Sequence, residues 1–274
     1  MRRAIVRPPS QHNSDVIAWA DWGYARPRDL DRAVKEHESL CDHLRREGVT
    51  VHRLTASVSG DVDACYVCDP ALMTAHGVVL LRAGKDLRRN EVLALPPLLD
   101  SLGVAILGTV VEPGSVDGGD CVWLDAKTLA IGTGFRSNPE GIAQVSALLP
   151  DVTVLSIPLP LEGGPDACFH LGSIVSLLDE QLALVHMPLA PSILLDALQA
   201  RGFECLTCPP GEFDNQACNV LCTGPSRVMM AEGNPETASL LQAHGVHVTT
   251  LSGAELMTLG TGGPTCLVLP LERS

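Results

Sequence analysis

A pattern of strand, turn and strand recurs along the chain, and this repeat constrains the fold more than any other feature. Each copy joins two apolar stretches through residues that favour turns, and the copies lie at residues 66–81, 121–132, 174–185 and 219–230. Their starts are about 45 to 55 residues apart. A period in this range is typical of propellers and solenoids.

Helices and further strands are predicted between the hairpins. Apolar residues at helical spacing mark residues 30–44, 142–148, 193–198 and 238–244. Short apolar strands are expected at 49–54, 104–108, 152–157, 203–208 and 246–251. Two of the helices open with N-P-E, at Asn138 and Asn234, where we expect the asparagine side chain to cap the free amides.

The two ends of the chain supply the remaining strands. The stretch C-L-V-L-P (266–270) has no return strand after it, and A-I-V-R (4–7) has no hairpin partner of its own. If these two strands pair, they form a fifth hairpin and close a ring. We therefore predict a single domain over residues 1–274, an α/β five-bladed propeller with pseudo-fivefold symmetry. An ordinary doubly wound sheet is the alternative that periodicity alone leaves open.

The composition limits the classes of function. Apolar residues make up 46% of the chain and aromatic residues only 3%, so an aliphatic core is expected. The formal net charge of −13 argues against binding to nucleic acid or anionic membranes. The sequence has no apolar run of about 18 residues and no secretory signal at its start. Together with ten cysteines, this predicts free thiols and a cytoplasmic location.

One cysteine lies in an unusual setting near the end of the chain. Cys266 follows G-T-G-G-P-T (260–265), and glycine allows backbone amides to approach a ligand closely. Amides or a nearby cation favour the thiolate, and a nucleophilic cysteine usually needs a histidine to handle protons. The alternative is that Cys266 is a small buried residue at the start of a strand.

Two other polar residues occupy equivalent positions in the repeat. His170 and Asp117 each lie four residues before a hairpin. In a cyclic repeat, equal offsets place both side chains on the same rim, facing the axis, at a level similar to that of Cys266. We predict that the three groups converge on one central hole. A buried structural histidine and a turn-forming aspartate are the alternatives.

These residues belong to an ordered set of motifs that resembles a known family. V-D-G-G-D (116–120), G-T-G-F-R-S-N-P-E-G (132–141), F-H-L (169–171) and G-G-P-T-C (262–266) are similar to motifs of the pentein, or guanidine-modifying, superfamily. The greatest similarity is to dimethylarginine dimethylaminohydrolases and amidinotransferase-like proteins. The resemblance covers nearly the whole chain and implies a fivefold α/β propeller, in agreement with the repeat.

The resemblance implies a catalytic role for three residues. Cys266 matches the nucleophile that attacks the guanidinium carbon, and His170 matches the general acid/base. Asp117 matches a carboxylate that holds the guanidinium nitrogens, and Asp69 matches a second one. Paired carboxylates orient the planar cation through charge-assisted hydrogen bonds. The expected product is a urea such as citrulline.

Other matching residues would bind the far end of the substrate. Arg82 and Arg136 match arginines that bind the α-carboxylate, and Asp63 lies where some relatives bind the α-amino group. The resemblance implies a small guanidino substrate of arginine metabolism and neither a cofactor nor a metal. It leaves the oligomeric state open, with a homodimer as one option.

Two departures from the family pattern bear on the substrate. Arginine deiminases carry an aspartate two residues after the histidine, where this chain has Gly172. Dimethylarginine hydrolases often have a glutamate before the Asp-Pro pair, where this chain has Cys68. The first departure suits an N-substituted guanidine or a different substrate, and the second argues against methylated arginine itself.

The sequence therefore predicts a hydrolase that cleaves a C–N bond of arginine or an N-substituted arginine through a covalent thiouronium. The alternatives within this class are an arginine deiminase or dihydrolase and an amidinotransferase. The alternative from another class is a non-catalytic pentein binding module, which the presence of both Cys266 and His170 disfavours.

Two weaker signals remain. The pairs Cys65-x₂-Cys68 and Cys205-x₂-Cys208 have zinc-like spacing, but each lies in or beside an apolar strand, which disfavours a metal site. Residues 14–24 hold many of the few aromatic residues; a lid over the site and a packed surface loop are equally consistent with them.

Overall fold

The fold consists of five three-stranded sheets. A computed structural model describes residues 1–9, 18–56, 62–160, 164 and 169–273. The strands are β1 (Arg3–Val6), β2 (Thr50–Arg53), β3 (Ala71–Thr74), β4 (Gly77–Leu80), β5 (Ile106–Thr109), β6 (Cys121–Asp125), β7 (Thr128–Thr133), β8 (Thr153–Pro158), β9 (Val175–Asp179), β10 (Leu182–Val185), β11 (Glu204–Thr207), β12 (Leu221–Gly224), β13 (Arg227–Ala231), β14 (His247–Leu251) and β15 (Leu269–Glu272).

Helices connect the strands. They are α1 (Leu30–Arg46), α2 (Leu95–Ser101), α3 (Pro139–Leu148), α4 (Leu171–Ile174), α5 (Ser192–Gln199) and α6 (Pro235–Ala243). Short 3₁₀ turns lie at Trp19–Trp22, Asp86–Arg88, Glu91–Ala94, Gly118–Asp120, Met187–Leu189 and Pro210–Asn215, and one π turn lies at Ala254–Thr258. None of the helices in the described ranges has the length and apolar character that a membrane crossing needs.

Four of the sheets repeat one connection. In each, an antiparallel hairpin is followed by a helix and then by a strand that pairs in parallel with the second hairpin strand; β6, β7 and β8 are one example. The four hairpins and the five later strands therefore confirm the predicted repeat. The alternation of strand and helix follows from the change in apolar period from 2 to about 3.6 residues.

The fifth sheet joins the two ends of the chain. β1 pairs antiparallel with β15, with Ile5 opposite Leu269, and parallel with β2. The predicted pairing of the end strands is thus present. The expected start of the last strand at Cys266 is wrong, because Cys266 lies in a turn before β15, where its N–H donates to the Gly263 carbonyl oxygen at 3.1 Å.

The two N-P-E motifs behave differently. The Asn138 side chain caps α3, accepting a hydrogen bond from the Gly141 amide at 2.8 Å. The expected cap by Asn234 is wrong, since its side chain makes no capping bond to α6. The Glu212 carboxylate, from a different segment, accepts the Thr237 amide there at 2.8 Å. A tertiary contact has replaced the local one.

Helix α1 carries a buried histidine on its inner face. His37 is fully buried, with Nδ1 3.7 Å from the Cys41 sulfur, and its Nε2 has no hydrogen-bond partner within the described residues. Burial penalises the charged imidazolium and lowers the pKa of His37 to about 4 from its ordinary 6.5. The folded state therefore holds this ring neutral.

We expect acid to destabilise the protein through His37. An unfolded chain binds more protons than the folded one between pH 4 and 6.5, so stability falls as the pH drops through this window. The loss between pH 7 and 5 amounts to about 2 kcal/mol. His37→Leu should remove this loss in urea unfolding at the two pH values. His76→Leu, at the exposed turn between β3 and β4, should retain it; an unchanged loss in His37→Leu would contradict the assignment.

Candidate active site

A cavity of about 190 Å³ lies where loops from distant parts of the chain meet. It is enclosed by segments that precede or follow the hairpins. Its lining residues are Trp22, Gly23, Tyr24, Asp63, Tyr66, Asp69, Lys85, Arg88, Arg136, His170, Leu259, Gly260, Thr261, Gly262 and Cys266. The predicted residues Cys266, His170, Asp69, Arg136 and Asp63 are all among them.

His170 is oriented by a carboxylate that the sequence analysis left without a role. Its Nδ1 lies 3.2 Å from Asp120 Oδ1, which also accepts the Leu171 amide at 3.1 Å. The Ser137 hydroxyl donates to the other Asp120 oxygen at 2.6 Å. Because an ionised carboxylate only accepts hydrogen bonds, Nδ1 carries the proton in this arrangement, which leaves Nε2 as the nitrogen available for proton exchange.

Asp117 lies beside His170 but is fully buried and is not part of the cavity lining. Its Oδ1 accepts the Gly84 amide at 2.9 Å. Its Oδ2 has no hydrogen-bond partner within the described residues; it lies 4.0 Å from His170 Nε2 and 3.7 Å from Arg136 Nη1. Burial, together with the nearby Asp69 carboxylate, raises the pKa of Asp117 above its usual range. A cation at this oxygen would favour its charged form.

Asp69 takes part in a buried ion-pair network. Its Oδ2 lies 2.6 Å from Arg88 Nη1, and its Oδ1 accepts the Gly119 amide at 2.9 Å. Burial alone would raise the pKa of Asp69, but the Arg88 guanidinium and the His170 ring outweigh it and place the pKa below its ordinary value. Asp69 is therefore an anion in the cavity wall.

Arg88 balances two carboxylates at once. Besides Asp69, it forms a two-pronged pair with Glu91, with Nε–Oε1 and Nη2–Oε2 distances of 2.9 and 2.8 Å. All three side chains are at least 95% buried. The guanidinium holds Asp69 ionised, whereas burial outweighs the Arg88 pair at Glu91 and raises the pKa of that carboxyl to about 7.

The two arginines predicted to bind a carboxylate lie in different places. Arg136 lines the cavity, and its buried Nε and Nη1 have no hydrogen-bond partner within the described part of the chain. Arg82 is not among the lining residues; its Nη1 donates to the Gly114 carbonyl oxygen at 3.1 Å and its Nη2 lies 3.5 Å from Glu112. The structure brings Arg136, but not Arg82, to the cavity.

Asp63 and part of the aromatic segment line the cavity. The Tyr24 hydroxyl donates to Asp63 Oδ1 at 2.7 Å, and Trp22 and Lys85 form a cation–π contact at 5.2 Å. Of the segment 14–24, residues 14–17 lie outside the described residues. Trp22 to Tyr24 cover one side of the cavity, and whether they move as a lid stays a prediction.

Three further residues support the site without having been singled out from the sequence. Asp120 stood within the V-D-G-G-D motif, so its position was visible although its contact was not. Arg88 lies in the charged stretch K-D-L-R-R-N (85–90), which is typical of an exposed surface. Asn219 begins a hairpin stretch and contacts Cys266. The sequence contains no local signal for the contacts of Arg88 or of Asn219.

The two cysteine pairs with zinc-like spacing belong to different sheets or their flanking segments. Cys205 lies on β11, whereas Cys65 and Cys68 lie before β3. Within the described ranges, there is no cluster of three or more histidine, cysteine or acidic side chains arranged to hold a metal ion.

A family model described as N,N dimethylarginine dimethylhydrolase, eukaryotic, matches residues 16–273. An N(G),N(G)-dimethylarginine dimethylaminohydrolase of Streptomyces coelicolor is 27% identical and covers 99% of this chain and 98% of its own. An arginine deiminase of Mycobacterium marinum is 27% identical over 58% of this chain and 46% of its own.

A solved structure shares the fold. It is the dimethylarginine dimethylaminohydrolase of Pseudomonas aeruginosa, a cysteine-to-serine variant complexed with citrulline, with a TM-score of 0.80. It is 22% identical, and the match covers 98% of each chain. At this identity the similarity establishes the α/β architecture.

We expect the Arg88 network to contribute strongly to stability. Arg88→Met leaves the buried Asp69 and Glu91 charges without their partner and should lower the free energy of unfolding by about 3–5 kcal/mol in urea titrations. Arg82→Met is the control, because its partner Glu112 is largely exposed, and it should cost about 1 kcal/mol or less. Equal losses in the two variants would contradict this account.

Proposed function

The chain belongs to the N,N-dimethylarginine dimethylhydrolase family, and from this premise we propose that it hydrolyses a C–N bond of a guanidino substrate, releasing an amine and a urea such as citrulline. The observation that carries the proposal is that a thiol, a histidine with a carboxylate partner and an anionic aspartate face one small cavity. These are the groups that hydrolysis of a resonance-stabilised guanidinium requires.

The substrate cation is bound by Asp69 and Asp117. Asp69 is ionised, and a carboxylate that already accepts two hydrogen bonds retains lone pairs for a substrate N–H. Asp117 is the weaker of the two candidates, because its Oδ2, although it has no hydrogen-bond partner within the described residues, is buried beside His170 and does not line the cavity. Two acceptors in a water-poor pocket orient the planar guanidinium and stabilise its charge.

Hydrolysis then proceeds in two halves. His170 Nε2 takes the proton of the Cys266 thiol, and the thiolate adds to the guanidinium carbon. The tetrahedral adduct then expels an amine, which receives that proton from Nε2. The bond between carbon and the departing nitrogen breaks, leaving a covalent thiouronium on Cys266. His170 next removes a proton from water, which attacks the same carbon. Collapse of that adduct breaks the C–S bond, releases the urea and regenerates the thiolate.

Asp120 supports both proton transfers by holding His170 in one tautomer. With Nδ1–H donated to Asp120, Nε2 accepts and returns the proton on the cavity side. Asp120 lies on the far side of the ring from Nε2, so it acts as a positioning residue.

The amino-acid end of the substrate extends towards Arg136 and Asp63. Nε and Nη1 of Arg136, which make no hydrogen bond within the described residues, suit an α-carboxylate, and Asp63 suits an α-amino group. Arg82 stays a weaker candidate for the carboxylate, because its guanidinium contacts Gly114 and Glu112.

Gly172 favours a substituted guanidine over free arginine. A side chain there would place its Cβ 2.9 Å from the Gly119 carbonyl oxygen, closer than real Cβ contacts occur. The aspartate that arginine deiminases carry at this position is therefore disfavoured by space as well as absent. One nitrogen of the guanidinium is left without a carboxylate, which suits N-methyl groups.

We also infer that the five sheets close into a five-bladed α/β propeller with pseudo-fivefold symmetry. The pairing of β1 with β15 and the repeated connection within the other sheets support this arrangement. A closed ring would place all five hairpin entrances around one axis.

The thiol can be tested directly. Cys266→Ser should lower turnover by about 10³-fold or more, because the nucleophile is lost. Cys205→Ser, a half-buried cysteine on β11, should retain activity. Ureido product is measured colorimetrically and amine by mass spectrometry. Full turnover by Cys266→Ser would exclude the covalent route.

Substrate choice is tested with a panel of N,N-dimethylarginine, N-monomethylarginine, arginine and agmatine. We expect dimethylamine release from dimethylarginine to exceed ammonia release from arginine by at least about tenfold in kcat/KM. A preference for arginine would indicate a deiminase, and product formation only with an added acceptor amine would indicate amidino transfer. Ligand binding with no product from any substrate would favour a binding module.

Asp120→Asn tests the orientation of His170. An amide at this position can face the ring with its N–H₂ group and so favour the wrong tautomer, which should lower kcat by about 10²-fold or more with little change in KM. Asp125→Asn, on the exposed end of β6, is the control. A kcat equal to that of the parent would remove Asp120 from the mechanism.

A further inference from the structure

Asn219 touches the candidate nucleophile from inside the protein. This asparagine is 3% exposed, lies two residues before β12, and places its Nδ2 3.4 Å from the Cys266 sulfur. It is not part of the cavity lining. Asn219 therefore contacts the sulfur from a position outside the cavity lining.

The orientation of the Asn219 amide follows from its other partner. Its Oδ1 accepts the Thr265 backbone N–H at 3.2 Å and also the Thr265 hydroxyl. A backbone N–H can only donate, so the oxygen of the amide must face Thr265. The NH₂ group then faces the sulfur, which makes Asn219 a hydrogen-bond donor to Cys266.

The glycine before the cysteine allows this contact. A Cβ at Gly263 would lie 2.2 Å from the Asn219 Cγ atom, so no other residue fits there without displacing the amide. At least one glycine of the G-T-G-G-P-T-C stretch thus serves to bring the loop onto Asn219.

We propose that Asn219 is a positioning residue for the nucleophile: its side-chain N–H donates to the Cys266 sulfur and stabilises the thiolate in the geometry that attacks the guanidinium carbon. A donor to an anion favours the charged form and also restricts the sulfur to one direction. The attack on a guanidinium carbon rests on the proposed function. The stabilisation of the thiolate by Asn219 does not depend on it.

Other charged groups also act on the sulfur and stay constant in the test. Those that share the cavity with Cys266 are Asp63, Asp69, Lys85, Arg88, Arg136 and His170. Tyr24 and Tyr66 line the same cavity, and Asp117 is fully buried outside the lining. The Cys68 backbone N–H donates to the Cys266 carbonyl oxygen at 3.2 Å. None of them is altered by a substitution at Asn219.

The decisive variant is Asn219→Asp. It keeps the shape and the oxygen that accepts from Thr265 but replaces the donor with a carboxylate oxygen. We expect the pH midpoint of Cys266 alkylation by iodoacetamide, followed by peptide mass spectrometry, to rise by about one unit or more. The corresponding loss is about 10-fold to 100-fold in alkylation rate at pH 7 and in kcat, with KM nearly unchanged.

Asn234→Asp is the matched control. Asn234, which precedes α6, is equally buried, and its side-chain N–H₂ donates to the carbonyl oxygens of Asn215 and Ala231. The same chemical change there should leave the alkylation midpoint at the parent value, whatever it does to stability. A midpoint that does not move in Asn219→Asp, or that moves equally in Asn234→Asp, overturns the proposal.

A second variant covers the case in which Asn219→Asp fails to fold. Thr265→Val removes the hydroxyl that orients the amide and that itself lies 3.9 Å from the Cys266 sulfur, but it keeps the amide donor. A smaller shift in the same direction is expected, and none with Thr265→Ser. An unshifted midpoint in Thr265→Val then counts against the proposal. If the midpoint shifts but no guanidino substrate is turned over by the parent protein, the proposed function fails while the role of Asn219 at the thiol stands.

Discussion

The ion pair between Arg88 and Asp69 is the contact on which the rest of the site depends. Asp69, Glu91 and Asp117 are among the acidic side chains buried at or beside the cavity, and like charges at this depth would repel and drive protonation. The single guanidinium of Arg88 bridges two of them. Asp69 therefore stays ionised, while Asp117 has a raised pKa until another cation arrives.

Hydrogen bonds from residues outside the cavity lining hold both reacting groups, His170 and Cys266. Asp120 and Ser137 hold His170, and the Asn219 amide with Thr265 holds Cys266. In both cases the supporting contact lies on the side away from the cavity. These contacts fix the directions of the histidine ring and the sulfur before a substrate binds.

Local patterns explain which features were predictable from the sequence. The hairpins and the strands after the helices depend on apolar periodicity within a few residues, and they occur where expected. The cap at Asn138 is equally local and is present. The cap at Asn234 is not, because Glu212 from another segment takes those amides. The strand expected from Cys266 begins only at Leu269, since the preceding turn brings the thiol towards Asn219 instead.

By itself, the sequence determined the repeat, the aliphatic core, the pairing of the two end strands and the identity of Cys266, His170 and the aspartates as candidates. Only the tertiary structure decided that Arg136 and not Arg82 lines the cavity, that Arg88 neutralises Asp69, and that Asp120 and Asn219 support the reacting groups. The reason is physical. Periodicity records which face of an element is buried, but a hydrogen bond across 47 residues, as between Asn219 and Cys266, depends on how the sheets meet.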